Sequence, residues 1–338
     1  MKILYGIQAT GNGHISRSRV MARYLSEHGV DVTYLFSGRA KDKLFDMEIF
    51  GDYLHRRGLT FVIKNGRINQ LQTVMQNNIF TFINDIRNID LDEYDLILSD
   101  FEPVTAWAAK LKNKPSIGVG HQYAFGPGTP VAGRYSLGRA IMKAFAPVKY
   151  RAGLHWHPFG EGVLPPIIDF KLQRTVCDQG YIVYLPFENQ SQVTEILNRL
   201  DGYQFVQYSP DLSDSQCGNV ALRKTCHAGF KRDLRKAKGV ICNAGFELIS
   251  ECLHLGLPVL AKPLTGQIEQ QSNAIALSQL GYADILSELS LQVMKQWLDK
   301  DRAVQEHPIP DVAGPLVEWI LSGQWDNSKP LMERLWQC

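Results

Sequence analysis

The chain has 338 residues, enough for two domains with separate cores, and its 45% apolar and 21% charged content is that of an ordinary globular protein. Its 36 basic and 34 acidic residues leave a net charge of +2, which excludes a general nucleic-acid binder and confines any affinity for phosphate to local loops. The six cysteines, at 177, 217, 226, 242, 252 and 338, form no CxxC pair, and no uncharged apolar run is long enough to span a membrane. A cytoplasmic chain without a disulfide framework is expected.

Short apolar runs alternate with helical periodicity, the pattern of an α/β protein with parallel sheets. The opening MKILYGI is too short for a signal-peptide core and reads as a strand, with a helix from about Ile15 to His28. Gly11, Asn12, Gly13 and His14 lie between them. Glycines there let backbone amides approach an anion at a helix N-terminus. The dinucleotide pattern GxGxxG fails at Ser16, which argues against an NAD(P) enzyme. It also leaves His14 unexplained, with Arg17 following at i+3. An imidazole at the carboxyl end of a strand is suited to act as a general base. A ring that only caps the helix is the plainer alternative, and the two glycines favour function.

Strands VDVTYLF and LTFVIK follow, then a helix over about 70–88, then strand YDLILS. That strand runs into Ser99-Asp100-Phe101-Glu102-Pro103, which brings two carboxylates to a ligand-facing edge. Asp100 is placed to orient His14 or to deprotonate an acceptor, and Glu102 to meet substrate; a helix cap is the competing role for this stretch. Strand PSIGVG leads to Gly120-His121-Gln122, where His121 either lines the acceptor side or is a core histidine. The stretch 133–151 has basic residues Arg134, Arg139, Lys143, Lys149 and Arg151 among apolar ones and no acid. It is either a solvated helix face or a peripheral contact with anionic lipid. Glycines and Pro165-Pro166 interrupt the pattern and set the domain boundary at 1–165 and 166–338.

In the second half the strands are YIVYLPF, YQFVQYS, GVICN and LPVLAKP. Asn243, Ala244, Gly245 and Phe246 form the turn from GVICN into a helix, a small-residue cradle for phosphate. Glu247 and Glu251 share a face of that helix, where a carboxylate can accept both ribose hydroxyls. Glu269 and Gln270 open a later helix and suit sugar hydroxyls, although Glu269 is also a normal first-turn acid.

These parts in this order, GNGH (11–14), NAGFELISE (243–251), LPVLAKP (257–263) and EQQSNA (269–274), resemble the GT-B glycosyltransferases. The resemblance is to those related to the bacterial enzyme that adds N-acetylglucosamine to the lipid-linked peptidoglycan precursor. It extends over nearly the whole chain, and SDFEP and GHQ are similar to a subgroup of bacterial and archaeal members. It implies two Rossmann-like parallel-sheet domains facing an interdomain cleft, acceptor in the first and nucleotide sugar in the second, with the last ~25 residues returning to the first. It implies a hexosyl transfer from a donor, UDP-linked in the family, to a glycan or lipid-linked acceptor at the inner face of the membrane. Gly245 and Phe246 would hold the diphosphate, Glu251 the ribose, and Glu269 with Gln270 the transferred sugar. Asn243 stands where small-molecule relatives carry histidine.

No metal motif is present in the sequence, and no cofactor beyond the nucleotide-sugar substrate is expected. The same residues also suit a nucleotide-sugar hydrolase or epimerase, and a non-catalytic nucleotide-sugar sensor is a third class.

Overall fold

A computed structural model describes residues 1–133, 140, 142–160, 162–175, 180–300 and 305–337. They fall into two compact units, Met1–Val62 with Gln70–Phe170 and Ile309–Cys338, and Ile63–Asn69 with Lys171–Pro308. The division at Phe170 lies past the boundary drawn at 165. Val163–Leu164 is still a strand of the first sheet, and Ile167 and Ile168 are buried behind it. The terminal segment belongs to the first unit, and a short piece of the first half belongs to the second.

In chain order the first half forms β1 (Lys2–Gln8), β2 (Asp31–Ser37), β3 (Leu54–His55), β4 (Ile63–Lys64), β5 (Arg67–Ile68), β6 (Leu96–Asp100), β7 (Ser116–Gly120), β8 (Tyr150–Leu154) and β9 (Val163–Leu164). Its helices are α1 (Asn12–Glu27), α2 (Gln70–Gln76), α3 (Ile79–Asn88) and α4 (Pro103–Leu111). The sheet of this unit runs β3-β2-β1-β6-β7-β8-β9, with every pair parallel. Strand β1 is buried from Ile3 to Gln8, as a strand covered on both faces must be, which explains its unbroken apolar sequence. Leu4, Leu35, Ile97 and Val104 lie in one core cluster.

Two expectations fail here. LTFVIK does not join this sheet, whose edge is β3. Its end, β4, turns back into β5 as an antiparallel hairpin in the second unit. Asn65 (φ 48°) and Gly66 (φ 70°) make the turn, the positive-φ pair that a two-residue hairpin prefers. The helix expected over 70–88 is two helices. Asn77 breaks it by bonding Thr60 through both its carboxamide atoms, and Asn78 caps α3 by accepting from the Thr81 amide at 3.0 Å.

The second half forms β10 (Tyr181–Tyr184), β11 (Phe205–Ser209), β12 (Ser215–Cys217), β13 (Val220–Lys224), β14 (Gly239–Asn243), β15 (Val259–Lys262) and β16 (Asp284–Ile285). Its helices are α5 (Gln190–Asn198), α6 (His227–Leu234), α7 (Phe246–His254), α8 (Ile268–Leu280) and α9 (Leu291–Asp299). The sheet order is β12-β13-β11-β10-β14-β15-β16, parallel except for β12 against β13. α10 (Ala313–Ser322) and α11 (Lys329–Trp336) complete the first unit. Among the described residues no helix is long and apolar enough to cross a membrane.

Candidate active site

At the carboxyl edge of the first sheet, α1 begins at Asn12, earlier than Ile15, with Gly11 as an N-cap that has no side-chain bond. Asn12, Gly13 and His14 are therefore its first turn. Strand β6 lies beside β1, with Ile7 opposite Asp100, so β6 ends next to the start of that helix. His14 Nδ1 is 2.7 Å from Asp100 Oδ1, and the Asp100 side chain is wholly buried. Arg17 donates Nε to Oδ2 at 2.9 Å and Nη2 to Oδ1 at 2.5 Å, and Ser18 Oγ stands 3.4 Å from Oδ2. Burial opposes charge on Asp100, but the guanidinium of Arg17 and then His14 outweigh it, and its carboxyl is held below the usual range.

A carboxylate only accepts, so the imidazole donates its Nδ1–H to Asp100 in a hydrogen bond, which leaves Nε2 as the nitrogen with a free lone pair. Nε2 lies 3.5 Å from the Gln122 carboxamide nitrogen, and the His14 side chain keeps 15% of its surface exposed. Gly120 makes room for the group, since a Cβ there would stand 3.2 Å from Asp100 Oδ1 and 3.4 Å from Arg17 Nη2. The first residue after β6, Phe101, has φ 54°, a conformation rare for a bulky side chain. That turn separates Asp100, which faces His14, from Glu102, which caps α4.

Four residues expected to touch substrate have other partners. The two Glu102 oxygens accept from Ser37 Oγ, Val104 N, Thr105 N and Thr105 Oγ1 at 2.6–2.8 Å. Those four donors fill the carboxylate, which is wholly buried, so Glu102 is a helix cap. His121 is buried and donates Nδ1–H to Leu154 O at 2.8 Å, packed edge-on to Phe125 and His155. It is a core histidine; its neighbour Gln122 reaches His14 instead. Arg17 is 2% exposed and fixes Asp100 without facing outward. Asn12 Oδ1 accepts from Arg39 Nη1 at 2.8 Å, which ties the first turn of α1 to the loop after β2. Residues 134–139 and 141 of the basic stretch lie outside the described residues, as do Cys177 and Cys338.

At the carboxyl edge of the second sheet, Asn243 to Gly245 make the turn from β14 into α7. Ala244 N and Asn243 Nδ2 both donate to Lys262 O at 3.1 Å, and Asn273 Nδ2 donates to Ala244 O at 2.9 Å. The turn is thus fixed from β15 and from α8. Gly245 is the N-cap of α7 and makes no side-chain bond. Phe246 is 4% exposed and can offer a ligand only its backbone. Glu247 and Glu251 are both buried, and Glu251 is ion-paired with Lys231 of α6. On α8, Gln270 accepts from Leu264 N at 3.1 Å, while Glu269 is half-buried beside Gln267, the cap of that helix.

The sequence reading overlooked one feature of this edge. Lys262, the last residue of β15, pairs with Glu188 after β10 at 2.7 Å, with side chains 8% and 6% exposed. Lysine inside LPVLAKP looks like an ordinary strand end, and its partner lies 74 residues away in sequence. Among the described residues no group of three or more His, Cys, Asp or Glu is placed to hold a metal ion.

The pattern of the family described as glycosyl transferase family 1 matches residues 1–300. Among solved structures, the chain is similar to MurG of Acinetobacter baumannii, at 16% identity and TM-score 0.52, over 88% of this chain and 89% of that one. It is similar to the Streptomyces sp. SF2575 glycosyltransferase SsfS6 complexed with thymidine diphosphate, at 12% identity and TM-score 0.61, over 96% and 100%. It is also similar to UGT89C1 of Arabidopsis thaliana complexed with UDP, at 13% identity and TM-score 0.55, over 99% and 92%. At such identities the likeness is one of fold. No curated protein matches the chain in sequence. Two parallel-sheet Rossmann-like units and a family match over most of the chain have one meaning: the protein belongs to glycosyl transferase family 1 and is a glycosyltransferase of the GT-B fold.

Proposed function

We propose that the protein moves a sugar from a nucleoside-diphosphate donor to a hydroxyl acceptor without a metal ion, with His14 as the base. The observation that carries this is the His14–Asp100 pair, 2.7 Å apart, with Asp100 buried and further fixed by Arg17. His14 Nε2 takes the acceptor hydroxyl proton as the oxygen attacks the anomeric carbon. The bond from that carbon to the diphosphate oxygen breaks, and its electron pair leaves on the diphosphate. The amides at the start of α7 and the helix dipole receive that charge. Glu269 and Gln270 hold the transferred sugar. Glu251, anchored by Lys231, meets the ribose. Nucleoside diphosphates are bound in two of the similar structures, which supports a donor of this class, UDP-linked in our assignment.

The acceptor is a cell-envelope glycan or a lipid-linked precursor, met at the inner face of the membrane. Large apolar side chains exposed on α2 and α3, among them Leu71, Met75, Ile79 and Phe80, support a lipid-bearing partner. His14→Ala should lower transfer by about 100-fold or more while donor affinity and insensitivity to chelator are kept. Transfer near the wild-type rate would remove His14 as the base, and loss of activity in chelator would remove metal independence.

A further inference from the structure

The hairpin β4–β5 leaves the first half of the chain to join the second unit, where the bonds that fix its tip are made by backbone. Gly66 N donates to Phe187 O at 2.8 Å, Thr265 N to Gly66 O at 2.9 Å, and Ile68 N to Thr265 O at 3.2 Å. Phe187 immediately precedes Glu188, and Thr265 follows closely on Lys262. The tip is therefore bonded to both segments that carry the buried ion pair. Gly66 itself lies against Glu188: a Cβ there would stand 2.2 Å from Oε1 and 2.6 Å from Oε2, at a φ of +70° that disfavours any other residue.

Strand β14 lies between β10 and β15. An ion pair from the loop after β10 to the end of β15 must cross the carboxyl end of β14, where Asn243 opens the turn into α7. Burying two charges is a poor way to gain stability, because apolar residues of similar volume serve as well or better. The pair thus points to a ligand. A second sign is Asn243 Oδ1, a buried acceptor that meets no donor among the described residues, which a hydroxyl of a bound sugar or ribose would supply and a diphosphate, itself an acceptor, would not.

We propose that Lys262 is a further binding residue for the donor diphosphate, and that the hairpin tip and Glu188 are the positioning device that holds its ammonium over the end of β14. This rests on the nucleotide-sugar function proposed above. A diphosphate at the start of α7 carries more negative charge than Glu188 and draws the ammonium toward itself, while Glu188 holds the side chain in place.

The test is to titrate uridine diphosphate, thymidine diphosphate and the two parent nucleosides into the whole chain and three variants, by ligand-observed NMR, with thermal unfolding as a control. Lys262→Met should weaken diphosphate binding about tenfold or more and leave the nucleosides unchanged. Glu188→Gln keeps an acceptor for the ammonium and removes the competing charge, so diphosphate affinity should be equal or higher. Gly66→Ala pushes on Glu188 and should weaken the diphosphate alone. Wild-type diphosphate affinity in Lys262→Met overturns the assignment, and in Gly66→Ala it overturns the role of the hairpin. Equal losses for diphosphate and nucleoside would mean general damage and overturn it too. If the wild-type chain binds no nucleotide at all, the nucleotide-sugar function fails together with this one.

Discussion

Asp100 shows how much of a site can depend on one buried carboxylate: it sets the tautomer of His14, neutralises Arg17 and takes no part in the helix cap beside it. The sequence placed His14 and Asp100 near each other because adjacent parallel strands end side by side. It did not separate Asp100 from Glu102, since both stand at a strand end before a helix. Only the left-handed turn at Phe101 sends one toward His14 and the other into α4. Nor could local sequence decide His121, whose burial depends on β8, a strand hidden among charged residues and glycine.

The histidines behind this edge carry a pH prediction. Burial, and then the nearby His121 and His157, hold His155 well below its ordinary value of 6.5, so it is neutral in the fold. The unfolded chain takes up that proton first as pH falls. The stability contributed by keeping His155 neutral is complete above 6.5 and is lost progressively below it, toward the folded value. His155→Gln should flatten the fall in urea-unfolding stability over that acid window. An unchanged slope would show that other groups set it.

Among the elements, those with strong periodicity were legible: β1, β6, β7, β14 and α7 lie where apolar runs and capping signals put them. The rest followed rules that single stretches do not display. β12, β13 and β16 are short or half-exposed and gain their identity from neighbours in the sheet. The Asn65-Gly66 pair suits a two-residue hairpin turn, a signal the sequence reading overlooked, and the hairpin's membership of the second unit is a long-range fact. Asn77 and Asn78 likewise mark the break between α2 and α3, a polar pair inside what otherwise reads as one helix. The exposed apolar residues on these two helices carry their own prediction. Phe80→Ser with Met75→Ser should reduce co-sedimentation with anionic phospholipid vesicles and leave unfolding stability unchanged, since both side chains are more than 70% exposed. Equal sedimentation of variant and wild type would count against a lipid surface as the partner of α2 and α3.

For the molecule as a whole, alternation of strand and helix was enough to read two parallel-sheet units, and the family match extends over most of their length. Of the path of the chain, only the return of the last residues to the first unit was expected, from the family resemblance. The chain passes between units at 62/63, 69/70, 170/171 and 308/309, and the last passage returns α10 and α11 to the first unit. Leu316, Val317 and Ile320 of α10 are wholly buried, which shows why that return is part of the first core. With the proposed base in one unit and the proposed diphosphate site in the other, the central claim is a nucleotide-sugar donor. The most direct measurement is thermal unfolding and nucleotide release with a panel of nucleoside-diphosphate sugars in the absence of acceptor. The account predicts that one donor stabilises the chain, by about 2.7 kcal/mol at a hundredfold excess over Kd, with little nucleotide released. Rapid release of nucleotide and free sugar would contradict transfer in favour of hydrolysis, and no stabilisation by any donor would contradict the claim itself.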